Sequence, residues 1–330
     1  MRILVTGSAG FIGYHLARRL LAEGHEVVGF DGLTPYYDVA LKEQRHAMLE
    51  AMPGFRPVIG RLEDAAAIEA AFADGPEVVV HLAAQAGVRY SLEAPFSYTD
   101  SNVTGTLAVL EAARARPVRH LLVASSSSVY GMAGRASRET DKTDEPVSLY
   151  AATKKATEAI THSYAHLFDI PTTCLRFFTV YGPWGRPDMA PFKFTEAIAE
   201  GRPISIFGEG RMRRDFTYVD DVVVAVRRLI EAVPVKGAPV AGDSLSAVAP
   251  WRVVNIAGGR PVELMRFVSA IEAAMGREAN KELLPMQPGD VTDTAAEVGL
   301  LRTLVGEVPA TPVEDGVQAF VEWFRGWRGS

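Results

Sequence analysis

One cysteine, Cys174, stands in a chain of 330 residues, so no intrachain disulfide can brace the fold and no set of thiolates can hold a structural zinc. Such usage suits a reducing compartment. No apolar run reaches the ~18 residues of a membrane span. The chain also enters a strand-like run at once in place of a signal segment, and a cytoplasmic protein is expected. An excess of positive charge is missing as well. Lys and Arg number 34 against 40 Asp and Glu, a net charge of −6, and a pI of about 5.7 offers no field for gathering nucleic acid. Internal repeats are absent, and only alanine-rich helical stretches approach low complexity. What remains is ordinary globular composition, 48% hydrophobic and 22% charged, in a length suited to about two domains of ~150 residues.

The apolar run Arg2 to Thr6 is followed by glycines and then by Leu16, Leu20 and Leu21 at helical spacing, which reads strand, turn, helix. Further strand-like runs occur at Glu26 to Phe30, Val78 to Leu82, His120 to Ala124 and Thr172 to Phe178. Helical stretches are expected at 65 to 73, 104 to 115 and 150 to 167. Alternating strands and helices imply an α/β fold, a Rossmann-type doubly wound parallel sheet covered on both faces. Residues 1–180 are expected to form this unit. After Tyr181 the texture changes to YGPWGRPDMAPF, so 181–330 are assigned mainly to a smaller C-terminal substrate-binding domain, with a segment near 214–232 returning to the first. The Pro-, Gly- and Ala-rich stretch 234 to 250 reads as a mobile surface loop.

Gly7, Gly10 and Gly13 of GSAGFIG lie between the first strand and first helix, where a tight turn presents backbone N–H groups to a pyrophosphate. The spacing is a variant of G-x-G-x-x-G. Phe11 and Ile12 belong to the same expected dinucleotide contact. Asp31 ends the second strand eighteen residues after Gly13, where a carboxylate accepts hydrogen bonds from ribose hydroxyls and repels a 2′-phosphate. With Gly32 and Leu33 following instead of an arginine, the expected cofactor is NAD.

Ser125 to Ser128 follow the strand HLLVA at the edge of the sheet where ligands bind in such folds. Tyr150 and Lys154, four residues apart, share a helix face, so the ammonium is expected to draw the phenol's pKa below the ~10 of free tyrosine and make it a general base. A neighbouring serine hydroxyl would relay the proton. No G-x-S-x-G competes around these serines. His81, in an apolar strand, reads as a packed, hydrogen-bonded histidine. Asp220 and Asp221 read as partners of a helix N-terminus, and no metal is expected.

GSAGFIG, the serines ahead of SVYG, and YAATK resemble the extended short-chain dehydrogenase/reductase family, over nearly the whole chain. Members work on nucleotide sugars with NAD held throughout turnover. The resemblance implies Ser126, four residues before the tyrosine of VYG, as the catalytic hydroxyl beside Tyr150 and Lys154, with Ser127 as an alternative. The family's 4,6-dehydratases carry Asp-Glu where Ser126 and Ser127 stand, so dehydration lacks its acid and base. More specific stretches look like UDP-glucuronate 4-epimerases: 31–42, 81–95, 176–194, 213–221 and MQPGDV (286–291). Such a likeness implies conversion of UDP-glucuronate to UDP-galacturonate through a 4-keto sugar. UDP-glucuronate decarboxylase and neutral UDP-hexose 4-epimerase are the enzymatic alternatives, and an NAD-binding regulator is the non-enzymatic one. One departure is Arg61, where relatives carry an Asp at the adenine edge; Leu62 is still expected to pack on the ring.

A UDP-sugar would need local cations in this acidic chain. Arg214 lies in the stretch that by resemblance clamps the diphosphate, and Arg89 is expected to touch phosphate or sugar. Lys193 and the FGEG turn at 207 to 210 would line the uridine pocket. Arg186, in GPWGRPD, has a planar fork suited to a carboxylate, with Thr179 and Ser127 as neutral donors. By resemblance the helices at 98–115 and at Tyr150 imply a homodimer.

Overall fold

The computed structural model describes residues 1–132, 135–286 and 293–329. β1 (Arg2–Thr6) is buried beyond its first residue, and α1 (Phe11–Ala22) returns over it with Leu16, Ala17, Leu20 and Leu21 inward. β2 (Glu26–Asp31), α2 (Val39–Glu50) and β3 (Phe55–Ile59) follow. The last two elements had no clear sequence signal. β3 contains Pro57, a residue without an N–H that an edge strand tolerates. α3 (Ala65–Phe72) is capped by the Asp64 carboxylate, which accepts from the N–H groups of Ala66 and Ala67. It leads to β4 (Val78–His81) on the other side of β1. The short α4 (Tyr90–Glu93) and α5 (Pro95–Tyr98), a π-helical turn at Thr99–Thr104 and α6 (Gly105–Ala115) precede β5 (His120–Ser126). α7 (Leu149–Phe168) is capped by Ser148 and feeds β6 (Thr172–Phe177).

Past β6 the chain forms β7 (Thr179–Tyr181), α8 (Ala190–Glu200), β8 (Ile204–Phe207), β9 (Arg213–Arg214), β10 (Phe216–Tyr218) and α9 (Val219–Leu229). The remainder comprises β11 (Trp251–Ile256), β12 (Val262–Glu263), α10 (Leu264–Met275), β13 (Lys281–Leu284), β14 (Asp293–Thr294), α11 (Gly299–Val305) and α12 (Val313–Gly329).

The central sheet runs β11-β6-β5-β4-β1-β2-β3, and every pairing in it is parallel. Strand order reverses between β1 and β4, so a crevice opens beyond their C-terminal ends, where ligands bind in folds of this kind. β11 lies well past residue 180, and the chain returns to the sheet more than a single cut there describes. α9 buries Val219, Val222, Val223 and Val226 in the same core as Leu16 and Leu20 of α1, and Leu300 and Leu301 of α11 join it. The second layer has its own core, drawn from Tyr181, α8, α10 and α12, with Phe216 stacked 4.1 Å from Phe267.

The stretch 234–250 forms no helix or strand, yet its second half is tied down. Ser246 Oγ lies 2.8 Å from His162 Nε2, and Asp243 meets Arg252 at 3.3 Å with both side chains buried. The expectation of a mobile loop is corrected there by these contacts. Among the described residues, no helix is long and apolar enough to cross a membrane, and no group of three His, Cys, Asp or Glu is placed to hold a metal ion.

Candidate active site

The turn from β1 into α1 closes on itself. A Cβ on Gly13 would stand 2.0 Å from the Gly7 carbonyl oxygen, and Gly7 holds φ +75° with the Ala83 nitrogen 2.8 Å from where its own Cβ would be. Only glycine fits this close approach. No side chain caps α1 at Gly10, so the first N–H groups of the helix, those of Phe11 and Ile12 among them, face the crevice with the positive end of its dipole. The Asp31 carboxylate takes the Ala9 N–H at 3.0 Å and the Leu33 N–H at 2.8 Å. It therefore shapes the turn from within while each oxygen keeps a lone pair for a ribose hydroxyl. These residues fit a dinucleotide. Leu62 is buried against Gly105, and Arg61 is turned to Glu63.

Strand register sets the opposite wall. Ser126 pairs with Phe177, which places Thr179 two residues past the same edge. The Ser126 hydroxyl lies 3.2 Å from that of Ser128 and is a hydrogen-bonding neighbour of the Tyr150 phenol. Burial raises the pKa of Tyr150 above its ordinary value, opposed by the Ser126 hydrogen bond and by the charge of Arg186. Here the sequence expectation needs correcting. Lys154 does not draw the phenol down: its Nζ donates to the Ala124 carbonyl at 2.8 Å. A buried ammonium takes the acceptor that best replaces water, and burial brings its pKa down to about 8, opposed by Cys174 and Glu158.

Two turns beyond Tyr150 on α7, Glu158 accepts from Ser125 Oγ at 2.6 Å and from Arg176 Nε and Nη2 at 2.8 and 2.9 Å. This buried pair, with the Lys154 contact, latches α7 to the serine strand. Asn102 joins the loop after β4 to α7, accepting from Gln85 N–H at 2.8 Å and donating to Thr153 Oγ1 at 3.0 Å. His81 is hydrogen bonded to Thr6 and Thr106 on its two ring nitrogens, and burial lowers its pKa to about 3. It is a neutral packing group.

Arg186 is brought to the Tyr150 end of the crevice. Its Nε and Nη2 bind both oxygens of Asp188, which also accepts from the Tyr36 hydroxyl at 3.0 Å. Burial pulls the guanidinium's pKa down, but Asp188 outweighs it and holds it above the ordinary value. The preceding Trp184 has φ +59°, a strain of about 1–3 kcal/mol that persists only where surroundings enforce it.

The remaining cations are more dispersed. Arg214, in β9, donates to the Arg213 carbonyl at 2.9 Å and lies near Met212. Arg89 is exposed with its guanidinium 4.8 Å over the Phe207 ring, beside the FGEG turn, and Lys193 is exposed on α8. Ser127 begins a short 3-10 turn after β5. Asp220 and Asp221 stand in the first turn of α9, where Asp221 accepts from the N–H and hydroxyl of Thr311. Of MQPGDV, the residues after Met286 lie outside the described residues.

Sequence reasoning assigned nothing to Lys42 and Arg45. Both are buried on α2, Lys42 donating to the Thr34 carbonyl at 2.6 Å. A signal existed, since Arg45 lies midway between Leu41 and Leu49 at i+4 spacing, on the apolar stripe of the helix.

A glycine turn at a strand-order reversal, facing a serine, a tyrosine and a lysine across the crevice, defines a dinucleotide-dependent enzyme class. The profile of the NAD dependent epimerase/dehydratase family matches residues 3–241, and the chain belongs to that family. It is 57% identical over 330 residues to the probable UDP-glucuronate 4-epimerase of Rhizobium meliloti, with 98% of this chain and 97% of that protein covered. The UDP-glucuronic acid 4-epimerase of Bacillus cereus, solved with UDP-glucuronic acid and NAD, superposes with a TM-score of 0.89 at 33% identity, covering 99% of this chain and all of that one. A Thermotoga maritima UDP-glucose 4-epimerase with UDP-glucose gives 0.84 at 29% identity, with coverage of 99% and 100%.

Lys154 supplies a stability test. Its proton leaves near pH 8 in the folded chain, against 10.5 for the ordinary side chain, so between those values the unfolded state binds the additional proton and the unfolding free energy rises with pH. Denaturant titrations of wild type and Lys154→Met should show the wild type gaining on the variant across that window. Parallel curves contradict the buried ammonium.

Proposed function

We propose that this chain converts UDP-glucuronate to UDP-galacturonate by epimerisation at C4. The observation that carries the reading is the pairing of Ser126 with Tyr150 beyond the glycine turn, within reach of the charge of Arg186. A proton-transfer pair would then meet one side of the sugar ring, and the Arg186 guanidinium, with Nε and Nη2 on Asp188 and Nη1 outside that pairing, would meet its carboxylate.

Gly7, Gly10, Phe11, Ile12, Gly13 and Asp31 would hold NAD, with Leu62 near its adenine and Lys154 near its nicotinamide ribose. When bound, NAD supplies the hydride acceptor and donor at C4, together with a cationic ring. Tyr150 takes the 4-hydroxyl proton and later returns it, and Ser126 holds the oxygen through both transfers. Burial raises the phenol, so the positive charges of Arg186 and of the filled site supply the field that lets it ionise. Arg214 and Arg89 would meet the diphosphate, Lys193 and the FGEG turn the uridine, and Arg186, Thr179 and Ser127 the carboxylate. In this reading residues 1–180, with α9 and β11, carry the cofactor, and most of 181–330 covers the nucleotide sugar. The charge of Arg186 favours a sugar acid over a neutral hexose. The buried free thiol of Cys174 suits a cytoplasmic setting.

The test is to incubate the protein with UDP-glucuronate and follow the product by NMR. UDP-galacturonate is expected, with no NADH accumulating; a UDP-pentose as sole product makes the chain a decarboxylase instead. Tyr150→Phe should lower kcat by about 10²-fold or more with UDP-sugar affinity nearly unchanged, and an active variant removes Tyr150 from the reaction.

A homodimer through α6 and α7 belongs to the same proposal. Leu107 on α6 and Leu167 and Phe168 on α7 are exposed, apolar side chains suited to burial against a second copy. Leu107→Glu should shift sedimentation toward the monomer. An unchanged dimer places the interface elsewhere.

A further inference from the structure

The segment 182–188 owes its shape to two helices of the cofactor half. Arg45 is completely buried. Its Nη1 donates to the Ala9 carbonyl at 3.0 Å and to the Tyr37 hydroxyl at 2.8 Å, while its Nη2 donates to the carbonyls of Trp184 at 2.6 Å and Gly185 at 3.3 Å. One cation thus joins the glycine turn to the two carbonyls just before Arg186. His15 on α1, kept neutral by burial with a pKa of about 3, donates through Nε2 to the Pro183 carbonyl at 2.8 Å. Between these anchors Trp184 sits in the left-handed region, which a bulky side chain adopts only under external constraint. At the far end Asp188 binds Nε and Nη2 of Arg186 and is itself held by Tyr36. Nη1 stays outside that pairing.

We infer that Arg45, Asp188 and Tyr36 are positioning residues that aim Arg186, and that this frame decides whether the oxidised sugar keeps its carboxylate. The inference rests on the reading that Arg186 binds the carboxylate of UDP-glucuronate. After oxidation at C4 the sugar is a β-keto acid. If its C5 to C6 bond turns toward the carbonyl π system, that bond breaks, its electron pair passes into the C4 carbonyl as an enolate, carbon dioxide leaves and a proton returns to C5. A guanidinium fixed in place by Asp188, meeting the carboxylate through Nη1, holds the breaking bond near the carbonyl plane and stabilises the charge that departure would remove. Arg186 is one covalent step from the Gly185 carbonyl that Arg45 grips; its guanidinium lies 5.7 Å over the Tyr36 ring, and the Tyr36 hydroxyl reaches it through Asp188. Loosening either end lets the guanidinium wander without touching the sugar.

The experiment compares wild type with Tyr36→Phe, Arg45→Lys, Asp188→Asn and Arg186→His. Each is given UDP-glucuronate, and NMR reads the ratio of decarboxylated product to UDP-galacturonate, with bound NAD and melting temperature measured on the same samples. In Tyr36→Phe and Arg45→Lys the ratio should rise by about 2- to 10-fold, the span of one weakened hydrogen bond, with NAD still bound. Adding Tyr36→Phe to Arg186→His should give no rise beyond Arg186→His alone, because the tyrosine acts through the arginine; an additive rise overturns the inference. A wild-type ratio in folded, NAD-loaded frame variants, with a raised one in Arg186→His, overturns the frame alone. If Arg186→His also keeps the wild-type ratio, the carboxylate clamp is withdrawn and the frame with it. Should Arg45→Lys fail to fold, Tyr36→Phe and Asp188→Asn decide the matter.

Discussion

The approach of Gly13 to the Gly7 carbonyl is the constraint from which the site follows. Because nothing larger than hydrogen fits between them, α1 starts directly where β1 stops, and its free N–H groups lie at the point where strand order reverses. Asp31 at the end of β2 fastens the turn from one side, and Arg45 on α2 fastens it from another through Ala9. The same turn is thereby joined, through Arg45, to the segment that presents Arg186. The glycine turn and the segment before Arg186 share one anchor.

Across the crevice the geometry depends on burying charge with its partners. Lys154 spends its ammonium on the Ala124 carbonyl, and Glu158 spends its carboxylate on Ser125 and Arg176. Removing one member of such a buried pair costs about 3–5 kcal/mol, far more than an exposed pair contributes. This cost keeps α7 in register with β5, and therefore Tyr150 facing Ser126. Burial holds the pKa of the phenol above its ordinary value, against the Ser126 hydrogen bond and the charge of Arg186.

The parts of this arrangement that are local in sequence were legible there. GSAGFIG, Asp31 at a strand end, and Tyr150 with Lys154 on one helix face each depend on neighbours a few residues away, and the strand and helix rhythm up to Thr172, α2 and β3 apart, follows from period alone. What escaped was made by long-range contacts. β11 reads as an ordinary apolar run until it pairs with β6. Arg45 looks like a surface helix residue unless its place on the apolar stripe is noticed, and its acceptors lie about 36 and 140 residues away. The Lys154 expectation failed because helix spacing shows which side chains share a face, not which acceptor a buried ammonium will choose.

Following the hydrogen at C4 tests the central claim most directly. UDP-glucuronate deuterated at C4, turned over in ordinary water with excess unlabelled NAD, should give UDP-galacturonate with the deuterium still on C4, because one site removes the hydride and returns it. Loss of the label to water, or its appearance in free NADH, would contradict a closed cycle in this pocket.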